Sequence, residues 1–137
     1  MMGLAVFAAA PPAHAQEPHY LHALSDLRTA RNYIEFDRRN EYSNERRHAV
    51  EEIDKAISEI KRAAWDDGKN TQFAPPASMT DPWYPIHEAK SALVRARKNI
   101  ALGIDTPQNA GLRDRALMHL DVANRILDDW MTRQGKK

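Results

Sequence analysis

One spacing constrains this chain more than any other. Ala23, Leu27, Ala30 and Ile34 are separated by steps of four, three and four, and the same steps recur at Ala49, Ile53, Ala56 and Ile60. They recur twice more, at Ala89, Leu93, Ala96 and Ile100 and at Ala116, Leu120, Ala123 and Leu127. At about 100° per residue, each set of four falls on one narrow face of a helix. Four helices that carry the same small-large-small-large rib bury it most simply against one another. The expectation is an all-α fold, an antiparallel four-helix bundle. Alanine at every second rib position lets helix axes approach closely. Ala56→Leu is expected to overpack the interior and cost about 1–3 kcal/mol, which a thermal melt would register.

The ribs also repeat as pairs. A shift of 66 positions carries Ala23, Leu27, Ala30, Arg31 and Ile34 onto Ala89, Leu93, Ala96, Arg97 and Ile100. A shift of 67 carries Arg46, Ala49, Val50, Ile53, Asp54 and Ala56 onto Arg113, Ala116, Leu117, Leu120, Asp121 and Ala123. The economical explanation is a duplicated helical hairpin, which implies two similar halves related by an approximate two-fold axis. Helices are expected over residues 18–37, 45–67, 81–102 and 107–131. The third could instead begin near 86 and the fourth near 110. Ser43 or Asn44 is the expected cap of the second helix, and Gly68 its terminator. Residues 69–80, with Pro75-Pro76, form either a turn between neighbours or a crossover along the bundle. Outward-facing pairs at acid-before-base spacing are Glu35 with Arg39, Glu51 with Lys55 and Asp121 with Arg125.

With 137 residues the chain is long enough for a single core that needs neither staple nor metal. Its 20 basic and 19 acidic side chains are interleaved, so no one-sign tract is available to follow a phosphate backbone, and nucleic acid is not an expected partner. Cysteine is absent, which removes disulfides, thiol catalysis, thiolate metal sites and covalent haem attachment together. The N-terminus suggests an address. An apolar run over residues 4–10 precedes Pro11-Pro12 and Ala13-His14-Ala15, the small-x-small form of a secretory cleavage site. The expectation is a signal peptide over residues 1–15, a mature domain over 16–137, and a periplasmic or secreted protein. No Lys or Arg precedes the apolar run, so the true start could lie upstream. The run is too short to span a bilayer.

The segment from His19 to Arg31, together with Ile53-Asp54-Lys55-Ala56-Ile57 and Asp66-Asp67-Gly68-Lys69, resembles a group of small exported bacterial helical-bundle proteins without assigned function. The resemblance implies a periplasmic bundle and supplies no catalytic residue.

Candidate chemistry is sparse. His22, His48, His87 and His119 fall one to a helix, which raises the alternative of a metal- or haem-binding bundle carrier. Their angles from the rib centre argue against a shared interior site: about 110° for His22 and His48, 150° for His87 and 70° for His119. Glu45 and His48 form a single E-x-x-H whose counterparts are Leu112 and Arg115, so half of a di-iron site is missing. No nucleophile motif and no glycine-rich phosphate loop is present. No enzyme activity, cofactor or metal is expected, and Asp66-Asp67 and Asp128-Asp129 read as solvated charge at helix ends. The candidate partner-binding residues are Arg31, Arg46, Arg97 and Arg113, near the rib boundary, with Trp83 and Tyr84 beside the long connection. These aromatics, with Phe73, are expected to cover one end of the bundle. The partner would be an envelope protein or a small acidic ligand, and the expected role is binding or structural.

Overall fold

A computed structural model describes residues 18–68, 71, 84–104 and 106–135. These form four α-helices: α1 (Pro18–Phe36), α2 (Ser43–Asp66), α3 (Pro85–Gly103) and α4 (Ala110–Gly135). All sixteen rib residues are buried, none more than 3% exposed. The all-α bundle is therefore the fold, built on the alternation of alanine with leucine or isoleucine. Tyr20, Leu24, Ala63, Ala64, Ile86, Ala92, Leu112 and Trp130 extend the same core. Among the described residues, no helix is long and apolar enough to cross a membrane.

α1 packs most closely against α3, and α2 against α4. Both pairs are antiparallel: His19 at the start of α1 meets Asn99 near the end of α3, and Glu59 late in α2 meets Arg115 early in α4. Within each hairpin the helices also oppose: Tyr20 at the start of α1 meets Asp67 just past the end of α2, and Lys90 early in α3 meets Asp128 late in α4. These directions make α2 and α3 parallel, so between Gly68 and Tyr84 the chain has to return from one end of the bundle to the other. The connection is a crossover, one of the two routes its length permits. Glu52 and His119 are equivalent under the 67-residue shift, and they meet each other at 2.9 Å between α2 and α4. That is where a two-fold axis relating the hairpins must pass.

The hairpin corners repeat as well. A single 3₁₀ turn precedes each second helix, Asn40–Tyr42 before α2 and Pro107–Asn109 before α4. This corrects the expected cap. Ser43 already lies in the helix, and Tyr42 at the N-cap position makes no side-chain cap bond. Its amide instead donates to the Arg39 carbonyl at 3.2 Å, and its buried ring fixes where the helix begins. Gly68 does end α2, at φ +73°, with its amide on the Trp65 carbonyl. α3 begins at Pro85, the later of the two expected starts; Asp81 and Pro82 lie outside the described residues.

At Gly103, α3 comes close against α1. A Cβ built there would lie 2.5 Å from the Cβ of His19, with His19 backbone atoms 3.6 Å away. The obstruction is the root of a side chain, so the helix would have to move. Gly103→Ala should lower stability by about 1–2 kcal/mol, since the clash outweighs the gain in helix propensity. Chemical denaturation of that variant with an unchanged or raised midpoint would contradict this close approach.

Candidate functional site

The four arginines occupy two equivalent sets of positions, and each is engaged with its own hairpin. Arg31 Nε lies 3.1 Å from Asp54, and Arg97 Nε 3.1 Å from Asp121, so duplication has copied one ion pair between first and second helix. Arg46 Nη1 donates to the Asp37 carbonyl at 2.7 Å, nine residues back, and Arg113 Nη1 donates to the Ile104 carbonyl at 3.4 Å, also nine back. Each guanidinium thereby satisfies a carbonyl just beyond the end of the preceding helix, where backbone acceptors are left over and positive charge is favoured. Arg113 also pairs with Asp114 at 3.1 Å. The structure does not gather the four: Arg46 stands at one end of the bundle and Arg113 at the other.

Trp83 and Phe73 lie outside the described residues. Tyr84 does not cover the bundle end, being 71% exposed, with its ring edge-on to His87 at 5.9 Å. The cover at that end is one the sequence reading missed. Tyr42 stacks on Trp130 with centroids 5.1 Å apart and planes 15° from parallel. The guanidinium carbons of Arg39 and Arg133 lie 4.7 and 5.0 Å from the Tyr42 centroid, a cation–π arrangement. Gln134, with its carbonyl turned inward, accepts from Trp130 Nε1 at 3.1 Å. Beside this cover, Arg39, Tyr84, Ile86, His87 and Gln134 border an open basin of about 350 Å³.

The opposite end is closed by polar groups. Asp67 accepts hydrogen bonds from Tyr20 Oη, from Thr106 Oγ1 at 3.2 Å and from Asn109 Nδ2 at 2.6 Å. Asn109 is fully buried and donates as well to the Ala63 carbonyl at 3.2 Å, while its own Oδ1 has no partner among the described residues. Asp67 is thus a tie between α1, α2 and the corner before α4, which corrects its reading as solvated charge. Tyr42 and Asn109 are equivalent positions under the repeat, so the same corner residue closes one end with an aromatic stack and the other with hydrogen bonds. That equivalence is the signal that could have found both.

A third polar group sits at the two-fold. Glu52 is buried and receives His119 Nδ1 at 2.9 Å and Lys55 Nζ at 3.2 Å. Burial pushes the Glu52 carboxyl up, but the hydrogen bonds and charges of His119 and Lys55 outweigh it and hold the group below its ordinary value of 4.5. Asp37 follows the same pattern: burial raises it, and Arg39, through side chain and backbone, brings it below its ordinary 3.8. A carboxyl depressed in the folded chain contributes stability that is complete above its unfolded value and is lost as pH falls through the folded one. The melting temperature should therefore drop as pH falls below about 4.5, and Glu52→Gln should shallow that drop. Parallel acid profiles for the variant and the parent would show that Glu52 is not a source of the sensitivity.

The other charges pair differently from expectation. Lys55 meets Glu52 instead of Glu51, Arg39 meets Asp37 instead of Glu35, and Asp121 meets Arg97 on the neighbouring helix instead of Arg125. Glu45 of the E-x-x-H pairs with Arg133. His22, His48 and His87 are exposed, whereas His19 and His119 are half-buried and hydrogen-bonded to Asn99 and Glu52. Among the described residues, no three histidine or acidic side chains are grouped as a metal site would require.

Fold and site together define a small four-helix bundle whose polar side chains chiefly fasten its corners, its ends and its centre. Comparisons with protein-family models, with curated proteins and with solved structures found no match.

Proposed function

We propose that this chain is an exported, non-enzymatic bundle of bacterial origin that acts by binding or by a structural role in the cell envelope, with residues 1–15 removed as a signal peptide. The observation that carries the binding role is the division of labour among side chains. The charged groups that could have formed a reactive centre are tied to one another, while large apolar side chains stand exposed near both ends. Tyr84 at 71% and Phe36 at 50% lie toward one end, and Trp65 at 81% and Leu102 at 54% toward the other. Tryptophan, tyrosine and arginine are the side chains that most often anchor a protein partner. Arg31 and Arg97 suit an acidic partner, because their pairs with Asp54 and Asp121 are about half exposed and such pairs contribute little to stability. A guanidinium held that weakly can turn to a new carboxylate, whereas Arg46 and Arg113 hold backbone carbonyls.

Export is tested by expressing the full chain in a bacterium, fractionating the cells and sequencing the product. A mature N-terminus at Gln16 in the extracytoplasmic fraction is the expected result; a cytoplasmic protein beginning at Met1 would overturn that part of the reading. Binding is tested by cross-linking in the native envelope, comparing the parent with Tyr84→Ala combined with Arg31→Ala and Arg97→Ala. Loss of a discrete adduct without a change in melting temperature supports the surface named here, and an unchanged adduct rejects it. Stoichiometric metal or a Soret band in protein from its native compartment would replace the reading with that of a metal or haem carrier.

A further inference from the structure

Each hairpin finds its closest packing on the other hairpin, α1 on α3 and α2 on α4. The polar contacts across this division are specific. His19 meets Asn99 at 3.1 Å, Asp26 meets Arg95 at 3.4 Å and Asn99 at 3.3 Å, and Glu59 meets Arg115 at 3.1 Å. A lone hairpin would leave both of its ribs in water. None of these contacts, however, requires the two hairpins to belong to one molecule, and the connection from Gly68 to Tyr84 is all that joins them covalently.

We infer that the bundle has a second, two-chain form in which the partner is another copy of this chain. Residues 18–68 of each copy close on residues 84–135 of the other, and every contact between hairpins is remade twice. The two forms share their core, so the balance between them is set by the connection and by protein concentration. The covalent connection makes the meeting of the two hairpins of one chain independent of protein concentration, which favours closure within one chain at ordinary dilution. That advantage exists only while the connection can span the bundle. α3 alone, at 19 residues, is about 28 Å long. With residues 72–81 removed, five residues remain between Gly68 and Tyr84, a reach of about 22 Å. Closure within one chain then fails. Two bundles lying side by side in opposite directions would place the end of each copy's α2 next to the start of its own α3 in the neighbouring bundle, within that reach.

The test is the full chain lacking residues 72–81, followed by size-exclusion chromatography with light scattering and by circular dichroism. The expected result is a particle of twice the chain mass with the parent's helical signal per residue; a helical monomer or an unfolded chain counts against exchange. A second measurement leaves the connection intact. Ile53→Asp disables the first hairpin of one variant and Leu120→Asp the second hairpin of another. Neither should fold alone, and mixing them should restore about half of the parent's helical signal in a cooperative melt, because each supplies the hairpin that the other lacks. No recovery on mixing, together with a shortened chain that does not dimerise, overturns the inference.

Discussion

Trp130→Ala should cost the bundle about 3–5 kcal/mol and lower its melting temperature by roughly 10–20 °C. The residue has no exposed surface, and truncation would remove both its area and the stack on Tyr42, whose ring would then face a void. The loss would spread, because Tyr42 fixes the start of α2 and carries Arg39 and Arg133 against its face. Arg133→Ala alone should cost only about 0.5–1 kcal/mol, the scale of an exposed cation–π contact, whereas Arg39→Ala should cost more, because it also strips the buried Asp37 carboxylate of its guanidinium. Urea denaturation monitored by far-ultraviolet dichroism would measure all three. A tryptophan variant within 1 kcal/mol of the parent would mean that this end is closed by something other than the stack.

The second large effect is expected where the two halves meet. Ile53 and Leu120 are equivalent under the repeat, each is buried within 2% of completely, and each lies next to a member of the Glu52–His119 pair. Ile53→Ala and Leu120→Ala should each cost about 2–5 kcal/mol, with values similar to one another because duplication gave them similar surroundings. The double variant should fall short of, or exceed, the sum of the two by at least about 0.5 kcal/mol, as side chains facing a shared space do. Strict additivity in equilibrium denaturation would place the two residues in separate parts of the core.

The ribs were legible because burial of a helix face imposes its period on the sequence, and sixteen positions obeyed it without exception. The duplication was legible for the same reason. The path of the chain from α2 to α3 was not, since a connection of that length reaches a neighbour or the far end equally well. Only the antiparallel contact of His19 with Asn99, and of Glu59 with Arg115, decides between them. The expected pair of Asp121 with Arg125 is replaced because Arg97 faces Asp121 across a groove, and spacing along one helix says nothing about the rotation of the next. Asp67 was misjudged on its position at a helix end. Its three donors come from Tyr20, Thr106 and Asn109, all distant in sequence. The cap at Ser43 failed for a related reason: a buried aromatic ring at Tyr42 supplied the constraint that a hydroxyl usually supplies.

The opposed directions of the four helices, two running each way, have an electrostatic result. Each end of the molecule presents two helix beginnings and two helix endings, so the peptide dipoles oppose one another and the backbone field along the long axis nearly vanishes. Each pole carries the same number of unpaired amide and carbonyl ends, so the backbone does not distinguish them. Whatever tells the two poles apart must be read from side chains: a slab of stacked rings flanked by guanidinium at one, and a carboxylate ringed by hydroxyl and amide donors at the other.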